Sequence, residues 1–425
     1  MSDTPAASPP ARSPDARASR AERFIVPATF ITNLGNGIQL TAASYLVFSL
    51  EKTTLAVGWL AIAVAVPQML LSLYFGKLAD RFDRRKLSII ADVASALAAA
   101  ALPVALLLGG PAGTTTYVVS FVLAIVAALF FPASNALIKE RVPQERLGRF
   151  NANFEIALQS GTLLSAAVGG FVIAAVGVKP LFFFNAVTFA ASAVLLLALG
   201  RRVVTKATVD RDDAESGAAV TTPVAARRTL MGLGLLYAIG NVVIIVGNTL
   251  LIVLVIQGFG SGIGTLGLVD ALFGIGVLFA AATFKRVHAR TTSMKVALIG
   301  YLGFAAVLAL ETVHLAVLLA VIPFAGLTFG LARIAARTAL MEAVPEARAG
   351  FVFGATNAFG LAAGAVATVL ISLLVDETQV RYGFYALAAL VAGAAVVIVV
   401  TLARRARPVP LAAAVEPPTA VETAV

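Results

Sequence analysis

The run Gly76-Lys77-Leu78-Ala79-Asp80-Arg81-Phe82-Asp83-Arg84-Arg85-Lys86 is an island of charge between two long apolar stretches. A charged side chain at the centre of a bilayer costs about 2.5–3.5 kcal/mol even on permissive insertion scales, so this island belongs in water at a membrane surface. Its order is specific: a glycine ending one helix, an aspartate four residues on, then three consecutive basic residues opening the next helix.

The stretches on either side set the class. The 425 residues are 60% hydrophobic and only 13% charged, with a mean hydropathy of +0.94. Water-soluble chains carry about 25% charged residues, so this is an integral membrane protein. A spanning helix needs about 20 apolar residues, and the runs lack the period-two alternation of a spanning barrel. Twelve helices are expected, at 24–50, 55–76, 88–109, 116–138, 151–177, 181–200, 229–256, 264–284, 295–312, 315–335, 351–375 and 382–402. Of the 32 Lys and Arg residues, all but Lys52, Lys179 and Arg381 fall on one side of this arrangement, Arg333 and Arg337 being counted with that side. The positive-inside rule makes it the cytoplasmic side and puts both termini there, which accounts for the net charge of +10 without nucleic acid.

The island resembles the loop between helices 2 and 3 of the major facilitator superfamily, whose pattern is Gly-x-Leu-Ala-Asp-Arg-x-Gly-Arg-Arg/Lys. Asp83 stands where the pattern has its second glycine, as in the drug, macrolide and siderophore exporters of that superfamily. The resemblance implies an all-α membrane fold of twelve helices in two six-helix bundles. It also implies an inner gate of Gly76, Asp80, Arg81, Arg84, Arg85, Glu140 and Gly350. In that gate Asp80 would reach the start of helix 11 and Arg84 would pair with a carboxylate such as Glu140.

The residues themselves show the duplication. Val142-Pro143-Gln144-Glu145-Arg146-Leu147-Gly148 is matched by Val344-Pro345-Glu346-Ala347-Arg348-Ala349-Gly350, and Gly35-Asn36 by Gly240-Asn241. Two copies with an even helix count and the same loop on the same side make a parallel repeat about an axis normal to the membrane. The expected organisation is a disordered tail over 1–22, bundles over 23–200 and 229–403, a flexible linker over 201–228 and a tail over 404–425.

Amides within spans face protein or a cavity, so Asn33, Asn36, Gln39, Asn241 and Asn248 are candidates to line a central site. Asp92, Glu155 and Asp270 are buried-carboxylate candidates for proton coupling, with an interhelical hydrogen bond as the structural alternative. For Asp92 that alternative is a link to the basic residues of the loop. Gly161, Ser165 and Gly169 form a stripe suited to close helix packing. Ser165-Ala166 replace the Gly-Pro of the superfamily's antiporter signature, and helix 4 lacks the membrane arginine of many proton-linked exporters.

No cysteine is present, and two histidines leave any metal site dependent on carboxylates. Neither cofactor nor metal is expected. Gly262-Ile263-Gly264-Thr265-Leu266-Gly267 lacks the strand-turn-helix setting of a nucleotide fingerprint, and no phosphate-cradling Gly-x-x-x-x-Gly-Lys-Ser/Thr run exists. His288 and His314 have no aspartate within six residues, which argues against an acyl-transfer enzyme. The expectation is a non-enzymatic, monomeric secondary transporter of the cell membrane, in contact with lipids, exporting a small amphipathic substrate in exchange for protons. A lysolipid flippase, an uptake carrier and a non-transporting sensor are the alternatives.

Overall fold

Apolar runs of this length satisfy their own backbone in a bilayer only as helices. The computed structural model describes residues 14–51, 54–200 and 224–405. Among them twelve long helices follow one another: α1 Pro14–Glu51, α2 Thr54–Arg81, α3 Arg84–Leu107, α4 Ala112–Arg141, α5 Leu147–Val176 and α6 Lys179–Ala198. The second series is α7 Val224–Val253, ending in a π turn over Leu254–Gly258, then α8 Ile263–His288, α9 Ser293–Glu311, α10 Leu315–Ala343, α11 Ala349–Glu377 and α12 Val380–Arg405. Ten of these are long and apolar enough to cross a membrane. Of the other two, α1 is interrupted by amides at Asn33, Asn36 and Gln39, whereas α5 has no Asn or Gln from Ser160 to its end at Val176.

At the N-terminus the structure departs from expectation, because α1 begins at Pro14 inside the stretch 1–22 read as a disordered tail. Proline is tolerated in a first helical turn, and the following Ala, Arg and Glu residues are strong helix formers. The extension is also docked: Ala21 is fully buried and Arg20 Nη2 donates to Ala198 O at 2.9 Å. Helix α7 likewise starts five residues inside the expected linker, and α12 runs on to Arg405. The remainder of the two tails and of the linker (1–13, 406–425 and 201–223) lies outside the described residues.

The repeated heptapeptides form the same local structure. Pro143 and Pro345 each precede a single 3₁₀ turn, Gln144–Arg146 and Glu346–Arg348, which feeds directly into α5 and α11. Packing repeats with it. In the first bundle α1 lies on α5 and α6, α2 on α4, and α3 on α4 and α6; shifted by six, the same pairs pack in the second bundle. Between bundles α2 packs on α11 as α8 packs on α5, and α4 meets α11 as α10 meets α5. Each helix therefore plays the part of its counterpart six places on, as a rotation about one axis between the bundles requires.

The connections α2–α3, α4–α5, α8–α9 and α10–α11 share one end of the molecule, here called the basic end. There Asp83 caps α3, its Oδ1 accepting from Lys86 N at 2.9 Å. The residue that departs from the superfamily pattern thus has a structural task, satisfying a donor at the start of a helix. Replacing Asp83 with Ala should lower stability by about 1 kcal/mol, and replacement with Asn should not, as measured by thermal unfolding in detergent.

Candidate functional site

The first four N–H groups of a helix have no partner within it, and α11 presents its own to α2. Asp80, in the last turn of α2, accepts Gly350 N on Oδ1 and Phe351 N on Oδ2, both at 2.7 Å. A carboxylate so placed also meets the positive end of the helix dipole. The approach depends on two glycines: a Cβ on Gly76 would lie 2.6 Å from Gly350 O, and one on Gly350 would lie 2.7 Å from Gly76 O.

One turn beyond Asp80, Arg84 bridges both bundles. Its Nη1 lies 3.2 Å from Glu140 Oε2 of α4 and 3.1 Å from Glu346 Oε1, and its Nη2 donates to Glu346 O at 2.9 Å. Glu140 is held from its other side by Arg141 at 2.9 Å. Glu346 was missing from the sequence-derived set, although it sits in the repeated heptapeptide where Gln144 stands in the first copy.

Two members of that set do not join the gate. Arg85 is buried and turned into the first bundle, where its Nε and Nη2 donate to Leu196 O and Leu197 O at 2.9 and 2.6 Å. It satisfies carbonyls left free at the end of α6. Arg81 is exposed. Consecutive helical residues point about 100° apart, so adjacent basic residues cannot all face the partner bundle.

Further bonds tie the bundles together at the same end. Lys139 Nζ donates to Met341 O at 2.5 Å, Asn151 to Thr338 Oγ1 at 3.0 Å, and Lys285 Nζ to Asn153 Oδ1 at 2.7 Å. Deeper in, Asn357 of α11 donates to Ser72 Oγ of α2 at 3.1 Å. Arg333 and Arg337 are not loop charges: both lie within α10, and Arg337 is 4% exposed. They belong to the interior and carry no information about sidedness.

The candidate cavity amides divide. Gln39 is buried and accepts from Asn185 of α6 at 3.2 Å, so it faces its own bundle. Steps of three residues rotate by about −60° on a helix, which places Gln39 about 120° round from Asn33. Asn33 donates to Thr29 O at 2.8 Å, and Asn241 bonds Asn357 of α11 at 3.5 Å. Asn36 and Asn248 keep exposed surface.

The three carboxylates also separate. Asp92 is 1% exposed and accepts from Ser192 of α6 at 2.6 Å, rather than reaching the loop. Glu155 is buried where its charge acts on Arg333 and Arg337 of the opposite bundle. Asp270 is exposed on α8, one turn from Gly274. Because Gly274 packs against Gln159 and Leu163 of α5, Asp270 shares the face turned toward the first bundle. Glu311, the last residue of α9, is 1% exposed with Oε1 unpartnered, and it was not among the carboxylates singled out from the sequence.

Residues 25–225 match the family model of the Major Facilitator Superfamily. The fold agrees with solved members of that family. A bacterial homologue of the iron transporter ferroportin, in an outward-facing state, superposes with a TM-score of 0.72 over 90% of this chain and 99% of its own, at 16% identity. The proton:xylose symporter XylE gives a TM-score of 0.68 over 90% of this chain and 96% of its own, at 14% identity. Residues 25–225, just under half of the chain, thus carry the sequence pattern of the major facilitator superfamily.

Among curated relatives, the uncharacterized MFS-type transporter YfiS of Bacillus subtilis is 29% identical over 264 residues, which is 60% of this chain and 61% of that one. The multidrug efflux pump Tap of Mycobacterium tuberculosis is 31% identical over 183 residues, 41% of this chain and 43% of Tap. The chain thus spans less than two thirds of the length of either relative.

Asp80→Asn should weaken the bond to α11 and loosen the basic end without unfolding the protein. Since the chain has no cysteine, a single Cys at the fully buried Ala335 can report this. Its maleimide labelling should accelerate severalfold in Asp80→Asn, and unchanged labelling would refute the closure role.

Proposed function

We propose that this protein is a secondary transporter that works by alternating access and exports a small amphipathic compound in exchange for protons. The observation that carries the reading is the two-point bond of Asp80 to the start of α11. It joins the bundles through one carboxylate and two backbone donors, a contact that can break as a unit when the bundles rock. Among the described residues, the hydrogen bonds between bundles gather in the half of the molecule that carries this contact.

We take the basic end to be cytoplasmic, so the bundles are closed inside and the site faces outward. Lys139, Arg141, Arg146, Arg149, Lys285, Arg286 and Arg290 at that end support this sidedness. Similarity to Tap, a multidrug efflux pump, supports export and a substrate that is partly apolar. For coupling, Asp270 is favoured over Asp92 and Glu155. Asp92 is committed to Ser192 and Glu155 is buried within electrostatic reach of two arginines, whereas Asp270 is exposed on the face between bundles and can exchange a proton with the open side.

In reconstituted vesicles an imposed pH gradient should drive an amphipathic dye against its concentration, and Asp270→Asn should abolish that dependence while Asp92→Asn keeps it. A panel of dyes and labelled lysolipids tests the class: movement of lysolipid alone would replace export with flipping, and no movement of any probe would leave a sensor. Single cysteines at Arg84 and Arg348 should react with an impermeant maleimide from the same side, and reaction from opposite sides would overturn the topology.

A further inference from the structure

The part of α10 nearest the basic end holds two arginines that face the first bundle. Arg337 donates from Nη2 to Asn135 Oδ1 of α4 at 2.9 Å and stacks with Cζ 3.9 Å from the ring centre of Phe154 of α5. Its Nε is buried without a hydrogen-bond partner. One turn deeper, the Arg333 side chain packs over Gly240 of α7, its Cγ 3.6 Å from where a Cβ there would stand, within electrostatic reach of Tyr237 of α7, Tyr301 of α9 and Glu155 of α5. Tyr301 is itself anchored, donating to Leu236 O at 3.1 Å.

The charges in this cluster do not balance. Two guanidinium groups, which stay protonated in proteins, share one carboxylate, Glu155. Arg333 lies ten residues from the end of α10, or about 15 Å along the helix, well inside the hydrocarbon depth. An excess positive charge there is costly and is matched best by an anion. Arg333 is also the accessible member: it keeps partial exposure while Ala332, Ile334, Ala335, Ala336 and Arg337 are buried. With α5, α7 and α9 packed around it, that surface opens between the bundles. Next to it Phe329, 5.9 Å from Arg333 Cζ, pairs with the half-buried Phe273.

We propose that Arg333, supported by Arg337 and Tyr237, recognises an anionic group on the transported compound. The substrate class is then a carboxylate, sulfonate or phosphate attached to an apolar or aromatic body. Glu155 is the internal counter-ion that the substrate displaces from Arg333, so the two compete for one guanidinium. This assignment rests on the transport reading above and specifies its substrate.

The test uses three probes with one fluorophore: dansylglycine, its uncharged amide, and the cationic dansylcadaverine. Equilibrium binding is read by fluorescence on the full chain in detergent, and gradient-driven uptake is read separately in vesicles. Wild type should bind the carboxylate at least tenfold more tightly than the amide or the cation. Arg333→Gln should erase that preference, Arg333→Lys should keep part of it, and Glu155→Gln should tighten carboxylate binding by removing the competitor. Equal binding of the amide, tighter binding of the cation, no binding of any probe, or weaker carboxylate binding in Glu155→Gln would each overturn the proposal. If Arg333→Gln fails to fold, the lysine variant and Glu155→Gln still decide the outcome. Selective binding without flux under any gradient would instead sink the transport reading, and flux of the cation alone would keep transport while removing the anion site.

Discussion

A carboxylate that accepts two backbone N–H groups at the start of a helix is the interaction on which the arrangement of the bundles depends. The donors are free because of where they stand in α11, and Asp80 supplies both acceptors from the other bundle. Little else is possible at this spot. A side chain on Gly76 or Gly350 would occupy the space through which the two backbones approach, so the contact is a property of backbone geometry as much as of charge. Arg84 then builds on it, tying Glu140 and Glu346 from opposite bundles to a single guanidinium. The closed end is thus held by groups that lose their partners together when α11 moves away from α2.

The duplication makes the second half of this closure a different object. Gly148 occupies in α5 the place of Gly350 in α11, and the side chain that covers it is His288, whose ring a Cβ on Gly148 would meet at 2.6 Å. Its Nε2 stands 3.7 Å from Glu342 Oε1, and Glu342 falls in the repeat where Glu140 does. Lys285 adds a bond to Asn153. Fold symmetry is therefore kept while the chemistry diverges: one copy has a carboxylate on free backbone donors, the other an imidazole that is stacked on Phe284 and covers a glycine. Two halves held by unlike groups can separate in response to unlike conditions.

What could be read from sequence follows from what each signal depends on. Helix number and class rest on hydrophobic length, which the bilayer enforces residue by residue. The repeat was visible because Pro143 and Pro345 start the same 3₁₀ turn, and backbone demands of that kind persist in sequence. The meeting of Asp80 with the start of α11 needed the resemblance to a family, since nothing local links positions 270 residues apart. Orientation around a helix was the weak point. Arg81, Arg84 and Arg85 look alike in a charged run, yet one is exposed, one bridges bundles and one caps α6. The extended start of α1 was missed because its Ala and Arg residues resemble a tail until Ala198 is seen to offer a carbonyl to Arg20.

The polar groups of the interior sort by whether their partner moves with them. Asp92 with Ser192, and Gln39 with Asn185, bond within the first bundle, so a displacement of one bundle against the other would leave them intact and would avoid the cost of about 1–3 kcal/mol for a buried polar group without its partner. Asn135 with Arg337, Asn151 with Thr338 and Asn357 with Ser72 cross between bundles, and each would lose its partner if the bundles separated at this end. Glu155 falls in the second group by position, in α5 across from Arg333 and Arg337 of α10. Opposite charges attract more strongly in a medium of low dielectric constant than in water. On the proposed reading of Arg333, this interior charge cluster, rather than the surface loop, is the point at which a bound compound would bias the tilt of the bundles.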